Sequence, residues 1–346
     1  MKIQTLVALA AGIVASSAAV AQTAVNATPR PLAEEAAAAY RDQARYPRSS
    51  RPILDAVDPI LKKREISKQT LPGPNGEGPF LSVWTSALSY EPGETAELYA
   101  ELTDGPTRAP SLANLLDKTR RDEAQTITAK LIAEESGLLG EVTYRDDGQN
   151  GDRRAGDRIY TARFTMPQAR APEAGFAESI AVHVQAVTAR DGARAALGGL
   201  LYSNPGAQLT GRYKDTMRDG NLVMSAEIDV KTPGRYHIAG TLAGKVGRLA
   251  GERPMAWAQN AQLMTAGKQW IDLPFYGLIF RDMDTAGRYT LSSVTLTSAL
   301  GMPNAMSSVR RDVHQTRSYA LAEFLARPFG DTQLLESVKR LENSAN

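Results

Sequence analysis

The chain has 346 residues, 42% hydrophobic, 23% charged and 6% aromatic, with a formal net charge of +2 and no cysteine. Balanced charge and ordinary hydrophobicity exclude a disordered chain and a polybasic nucleic-acid binder. The missing thiols exclude disulfides, thiolate metal sites, a cysteine nucleophile and a lipidated N-terminal cysteine.

Residues 1–21 read as a secretory signal peptide. Lys2 gives the positive n-region, Ile3 to Val14 form the apolar stretch, and Ala19-Val20-Ala21 gives the small-x-small pattern before cleavage. That stretch is shorter than the roughly 20 residues a spanning helix needs, and no later apolar run reaches 18. The sequence therefore predicts export to the periplasm or exterior, with no transmembrane segment once the leader is removed. Loss of Lys2 takes the formal charge from +2 to +1, too small for electrostatic steering.

Residues 22–78 form an N-terminal arm and linker. Thr23 to Pro31 is a small, polar leader, and Leu32 to Arg45 is alanine-rich with acids early and arginines late, which predicts a helix. Tyr46-Pro47 ends it. Arg48 to Ile66 shows no period, and Leu71 to Pro79, rich in proline and glycine, reads as a linker.

After residue 78 the apolar period becomes two. Ala96, Leu98, Ala100 and Leu102 alternate with polar residues, as do Ile127, Ala129 and Leu131, then Ile180, Val182, Val184 and Ala186. Leu222, Met224, Ala226, Ile228 and Val230 alternate with Val223, Ser225, Glu227 and Asp229, which predicts one buried and one wet face. Turn signals such as Glu91-Pro92-Gly93, Asn204-Pro205-Gly206 and Asp219-Gly220 separate the strands. Alternation slips by one across Ser292-Ser293, the mark of a β-bulge. The predicted fold is all-β: two tandem antiparallel immunoglobulin-like β-sandwiches over 79–205 and 206–330, behind a helical or irregular arm. Leu334, Val338 and Leu341 stand at helical spacing and predict a short C-terminal helix within 331–346.

Several stretches resemble a known family. Tyr90-Glu91-Pro92-Gly93-Glu94 opens a strand and is followed by Asp146-Asp147-Gly148, Gly151-Asp152, Ala155-Gly156-Asp157 and Tyr160-Thr161. Leu209-Thr210-Gly211, Gly234-Arg235-Tyr236, Gly267-Lys268-Gln269, Tyr289-Thr290-Leu291 and Thr316-Arg317-Ser318-Tyr319 continue the pattern, and Tyr46 to Pro52 fits its start. In this order they resemble exported bacterial choice-of-anchor X domain proteins, over about residues 46 to 325. The resemblance implies two sandwiches and export, and no reaction. The chain departs from the family's Asp-Gly-Pro-Tyr at Ala286-Gly287-Arg288-Tyr289, where the turn carries no aspartate.

The stretch with chemistry is Asp146 to Asp157 (DDGQNGDRRAGD). Its oxygen-bearing residues Asp146, Asn150, Asp152 and Asp157 stand at loop positions 1, 5, 7 and 12, with Gly151 at position 6 where an EF-hand loop turns sharply. Hard oxygen donors suit calcium. The match is partial, because Gly148 and Arg154 occupy positions 3 and 9, Asp157 replaces the usual Glu, and strands flank the loop. A metal-free β-turn is the alternative, its carboxylates capping backbone amides and Arg145, Arg153, Arg154 and Arg158 neutralising the acids.

Other candidates carry less. His183 and His237 fall on wet strand faces, and His314 on a solvated loop. Asp282 and Asp284 offer paired carboxylates for glycoside hydrolysis, or serve as turn acids. Trp84, Trp257 and Trp270 offer stacking surfaces for sugars, although their neighbours place Trp257 and Trp270 in the core. No Gly-x-Ser-x-Gly elbow or phosphate-cradling glycine loop occurs. The expected function is a non-catalytic binding or structural module, with a weak calcium site and an envelope or extracellular protein or glycan as partner. A carbohydrate- or peptide-binding module is the second reading, and a hydrolase using Asp282 and Asp284 the third. The C-terminus, without apolar span or sorting motif, predicts release to the periplasm or medium.

Overall fold

Period-two stretches become paired strands in a computed structural model that describes residues 32–64, 69–71, 80–103, 124–188, 192–247 and 251–345. The predicted signal peptide and residues 72–79 of the linker lie outside the described residues. In chain order the arm gives α1 (Leu32–Ala44), β1 (Ser50–Pro52), α2 (Pro59–Arg64) and β2 (Gln69–Leu71). Next come β3 (Phe80–Thr85), β4 (Ser89–Tyr90), β5 (Thr95–Thr103), β6 (Ala124–Ala133), β7 (Gly137–Thr143), β8 (Ile159–Thr165), β9 (Phe176–Thr188) and β10 (Gly192–Asn204). The second half holds β11 (Ala207–Arg218), β12 (Asn221–Val230), β13 (Gly234–Gly244), β14 (Arg253–Met264), β15 (Gly267–Phe275), α3 (Gly277–Asp282), β16 (Thr290–Ser298), β17 (Ala305–Met306) and β18 (Arg310–Gln315). The chain ends in α4 (Thr332–Ala345).

In the first sandwich the sheet β2-β3-β5-β8 faces the sheet β4-β10-β9-β6-β7. Pairing is antiparallel except between β4 and β10, where Leu201 and Tyr202 run parallel to Ser89 and Tyr90. The strand β5 alternates as its sequence predicts, with Ala96, Leu98, Ala100 and Leu102 buried. These meet Ile127, Ala129, Leu131, Ile180, Val182 and Val184 from the facing sheet. In the second sandwich β11-β12-β15 faces β1-β14-β13-β16, with β17 and β18 both paired to β16. Successive strands cross between sheets from β5 to β6 and from β12 to β13, as in immunoglobulin domains. The predicted bulge is present, since Thr241 pairs with Ser293 and Leu242 with Leu291, leaving Ser292 as the inserted residue.

Two expectations need correction. The strand β12 has no wet face, because Val223, Ser225 and Glu227 are buried along with the opposite stripe. Their polar groups are satisfied: Ser225 donates to Asp272 at 2.6 Å, and Glu227 accepts from Thr210 at 2.8 Å and from Arg212 Nε at 2.6 Å. The arm is not merely helical or irregular, since β1 adds to the second sandwich at β14 and β2 to the first at β3. Its second helix starts where Asp58 caps it, accepting from Ile60 N at 2.8 Å, with Pro59 in the first turn.

The two sandwiches share one compact unit, Ala44–Asp331. Ser308 donates its N–H to Glu91 at 2.7 Å and its hydroxyl to Glu94 at 2.5 Å. Ser203 and Ser89 both donate to the Met306 carbonyl, at 2.8 and 3.2 Å. The loop after β16 packs so closely there that a Cβ on Gly175 would stand 2.5 Å from Leu300 Cδ1. Among the described residues a second unit joins 32–43 to 332–345, where Arg41 pairs with Glu342 and Ala37 and Val338 are buried.

Candidate functional site

The loop between β7 and β8 begins at its base with two backbone bonds between Arg145 and Thr161, at 2.9 and 2.7 Å. Left-handed backbone at Gly148, Asn150, Gly151, Gly156 and Arg158 then folds it back on itself. Gly151 sits at φ 99° with room for little else, because a Cβ there would lie 3.0 Å from Glu97 Oε1 and 3.3 Å from Arg163 Cδ.

Each aspartate caps backbone amides. Asp146 accepts from Gly156 N at 2.7 Å, Asp157 N at 3.2 Å and Arg158 N at 2.9 Å. Asp152, 8% exposed, accepts from Gly148 N at 2.6 Å and Arg154 N at 3.2 Å. Asp157 accepts from Ile159 N at 2.9 Å through Oδ1. The turn chemistry expected of these residues is therefore present.

The three carboxylates also converge. Asp146, Asp152 and Asp157 each offer an oxygen within 4.8 Å of the others. Three oxygens mutually within 4.8 Å lie no more than about 2.8 Å from a common centre, close to the roughly 2.3–2.6 Å of calcium–oxygen contacts, so one hard cation could reach all three. Asn150, the fourth predicted ligand, is exposed on the turn, where its left-handed backbone (φ 51°) shapes the loop. Of the four arginines, Arg145 pairs with one acid of the loop, Asp147, at 3.9 Å, and among the described residues no ion pair reaches Asp146, Asp152 or Asp157.

Facing the loop stands an aromatic pair. Trp84 on β3 and Tyr99 on β5 are cross-strand partners, and their rings stack at 5.4 Å with planes 19° apart. Burial, then the bond from its hydroxyl to Glu97 at 2.8 Å, pushes the Tyr99 phenol up to about 12. Trp84, Tyr99 and Thr161 on one side and Asp152, Arg153 and Asp157 on the other line a cavity of about 290 Å³. A second cavity of about 280 Å³ shares Trp84 and Thr85 and runs toward Leu98, Tyr144 and the paired glycines Gly198 and Gly199. The tryptophan was visible in the sequence as a possible stacking surface; its pairing with Tyr99 was not, because it depends on strand register.

The remaining candidates are placed as follows. His183 and His237 are exposed on β9 and β13 as expected. His314 lies in β18 and not on a solvated loop; its Nε2 is 2.7 Å from Asp215, which also accepts from the Tyr319 hydroxyl at 2.7 Å. Trp270 is not in the core: it is 37% exposed, with Lys214 Nζ 4.2 Å from its ring centroid. Trp257 is half-buried in β14. Asp282 is held by Arg45 at 2.6 Å and by the Tyr46 hydroxyl at 2.5 Å, Asp284 occupies a left-handed turn, and neither borders the two cavities.

Residues 206–304, within the second sandwich, match a family model described as "Domain of unknown function (DUF4785) C-terminal domain". No curated protein matches the chain. Among solved structures, a DUF4785 family protein from Legionella pneumophila subsp. pneumophila str. Philadelphia 1 is similar at 18% identity and a TM-score of 0.43, over 70% of this chain. The chain spans 57% of the length of that protein. The sporulation control protein Spo0M of Bacillus subtilis aligns over 77% of this chain and 95% of its own, at 11% identity and a TM-score of 0.23.

Proposed function

We propose that this chain is an exported, non-catalytic binding or structural module of the choice-of-anchor X kind, with a weak calcium site at Asp146, Asp152 and Asp157. Export rests on the leader at 1–21, and the family reading on the order of motifs from Tyr46 to Phe324. Oxygen-only donors suit calcium, which takes six to eight such ligands. The observation that carries the metal reading is the convergence of three carboxylates within 4.8 Å with no paired cation among the described residues. Backbone amides hold each carboxylate in place, so little side-chain entropy remains to be lost on binding. The hydrogen-bonded contact at Glu91, Glu94 and Ser308 supports a tandem that acts as one body, with the loop at one fixed place on it.

Isothermal titration of the mature chain tests the metal reading. Calcium should bind with Kd on the order of 10⁻⁴ to 10⁻³ M and raise the melting temperature, and Asp157→Asn should weaken both effects. No heat and no melting shift at about 10 mM calcium would remove the metal and leave a structural turn.

A further inference from the structure

We propose that the groove between the Trp84–Tyr99 pair and the Asp152–Asp157 segment binds a neutral carbohydrate. A sugar ring presents an apolar C–H face and a rim of hydroxyls, and recognition needs an aromatic surface beside fixed planar donors and acceptors. The groove supplies both. Trp84 and Tyr99 are half-buried and held against each other by strand pairing. Thr161, on β8 and paired in register with Tyr99 of β5, contributes to the lining.

The polar wall is uncommitted where it matters. Asp157 Oδ1 caps Ile159, while Oδ2 accepts no hydrogen bond among the described residues. Arg153 is exposed and donates none among them, so its guanidinium is available to hydroxyl oxygens. The wall opposes an anion through its two carboxylates, and an uncharged polyhydroxylated ligand can use its carboxylate acceptors and its Arg153 donors together. At about 290 Å³ the cavity lies at the small end of ligand sites, enough for one or two rings of a longer chain.

This inference shares Asp152 and Asp157 with the proposed calcium site, and the experiment separates the two. Cellopentaose, maltopentaose and chitopentaose are titrated into the mature chain, once in calcium and once in EDTA. At least one should bind in calcium with Kd about 0.1–1 mM. Arg153→Ala and Asp157→Asn, both at exposed positions, should each weaken it about tenfold, and Tyr99→Ala should weaken it further. Sugar binding that persists in EDTA and is lost in the variants supports the groove even if calcium does not bind. Calcium binding with no sugar bound at about 10 mM overturns it and leaves the metal site standing. Unchanged affinity in Arg153→Ala and Asp157→Asn, or binding of a lysine-rich peptide in place of all three sugars, overturns it as well.

Discussion

The two sandwiches share a strand order and differ in what fills them. In the second, Phe280 and Phe324 stack at 4.2 Å, Tyr289 meets Phe280 edge-on at 4.9 Å, and Tyr319 lies 6.1 Å from Phe324. Two of its phenols are anchored to carbonyls, Tyr289 donating to Thr285 at 3.0 Å and Tyr236 to Thr232 at 2.6 Å, whereas the buried Tyr213 hydroxyl has no partner among the described residues. The first sandwich is filled mainly by Ala96, Ala100, Ala129, Ala162, Ala186 and aliphatic residues, with buried Tyr90, Tyr144 and Tyr202. Its notable aromatic stack, Trp84 on Tyr99, lies at a cavity wall and not in the core. Small side chains leave a cavity of about 280 Å³ beside β3, whereas an aromatic layer fills the second core around Phe280 and Phe324. Similar topology thus accommodates two different fillings, and the proposed calcium and sugar sites both fall on the first sandwich.

The largest test of that contrast is Phe280→Ala. The side chain is fully buried at the end of α3, a segment placed so tightly that a Cβ on Gly277 would stand 2.0 Å from the Gly220 carbonyl. Removing the ring should cost about 3–5 kcal/mol, measured by urea unfolding. A loss below about 1 kcal/mol would show that the aromatic layer does not set the stability of the second sandwich.

A finer test sets one strand glycine against another. In the second sandwich a Cβ on Gly240 would meet Leu273 Cδ2 at 2.5 Å, Leu291 Cδ1 at 3.1 Å and the Ser293 carbonyl at 3.3 Å. Gly240→Ala should destabilise by about 1–3 kcal/mol through overpacking. In the first, a Cβ on Gly198 would meet Val182 and Val83 at 3.6 and 3.7 Å, ordinary contact distances beside the 280 Å³ cavity. Gly198→Ala should stabilise by about 0.5–1 kcal/mol, since it fills space and removes the entropy cost of glycine in a strand. Equal signs in denaturant unfolding would break the contrast between a loose and a closed core.

Legibility in the sequence follows the same division between local and non-local causes. The stripes in β5, β6 and β9 could be read directly, because period two is written in consecutive residues. So could the bulge at Ser292, the spacing of the Asp146 loop, and α4. What covers the second face of β12 could not, because Arg212 reaches Glu227 only after the register between β11 and β12 shifts past Leu209. The strands β1 and β2 are three residues long, too short to show a period. The helix at Pro59 did carry a local signal, an Asp-Pro start, but its short length hid it in the proline-rich arm. Half of the candidate groove was legible as acids in one loop; the other half, Trp84 beside Tyr99, depends on the pairing of β3 with β5.

The smallest expected effect concerns the carboxylate chemistry that separates the halves. In the first sandwich the aspartates of the loop cap backbone amides, whereas in the second Asp215 is held by the side chains of His314 and Tyr319 and more distantly by Arg317 N at 3.4 Å. Burial pushes Asp215 up, and the bonds from Tyr319, His314 and the Arg317 amide outweigh it, leaving the acid below the usual carboxylate range. A depressed acid adds stability that is fully present above its unfolded value and disappears as pH falls through its folded value. Tyr319 behaves in the opposite sense: burial and then the bond to Asp215 raise its phenol, so its share is present below the ordinary tyrosine range and is lost as pH rises through the folded value. Melting curves from pH 7 to pH 3 should therefore fall more steeply for the native chain than for Asp215→Asn, by a few degrees at most. Parallel curves would mean that Asp215 holds His314 and Tyr319 no better charged than neutral.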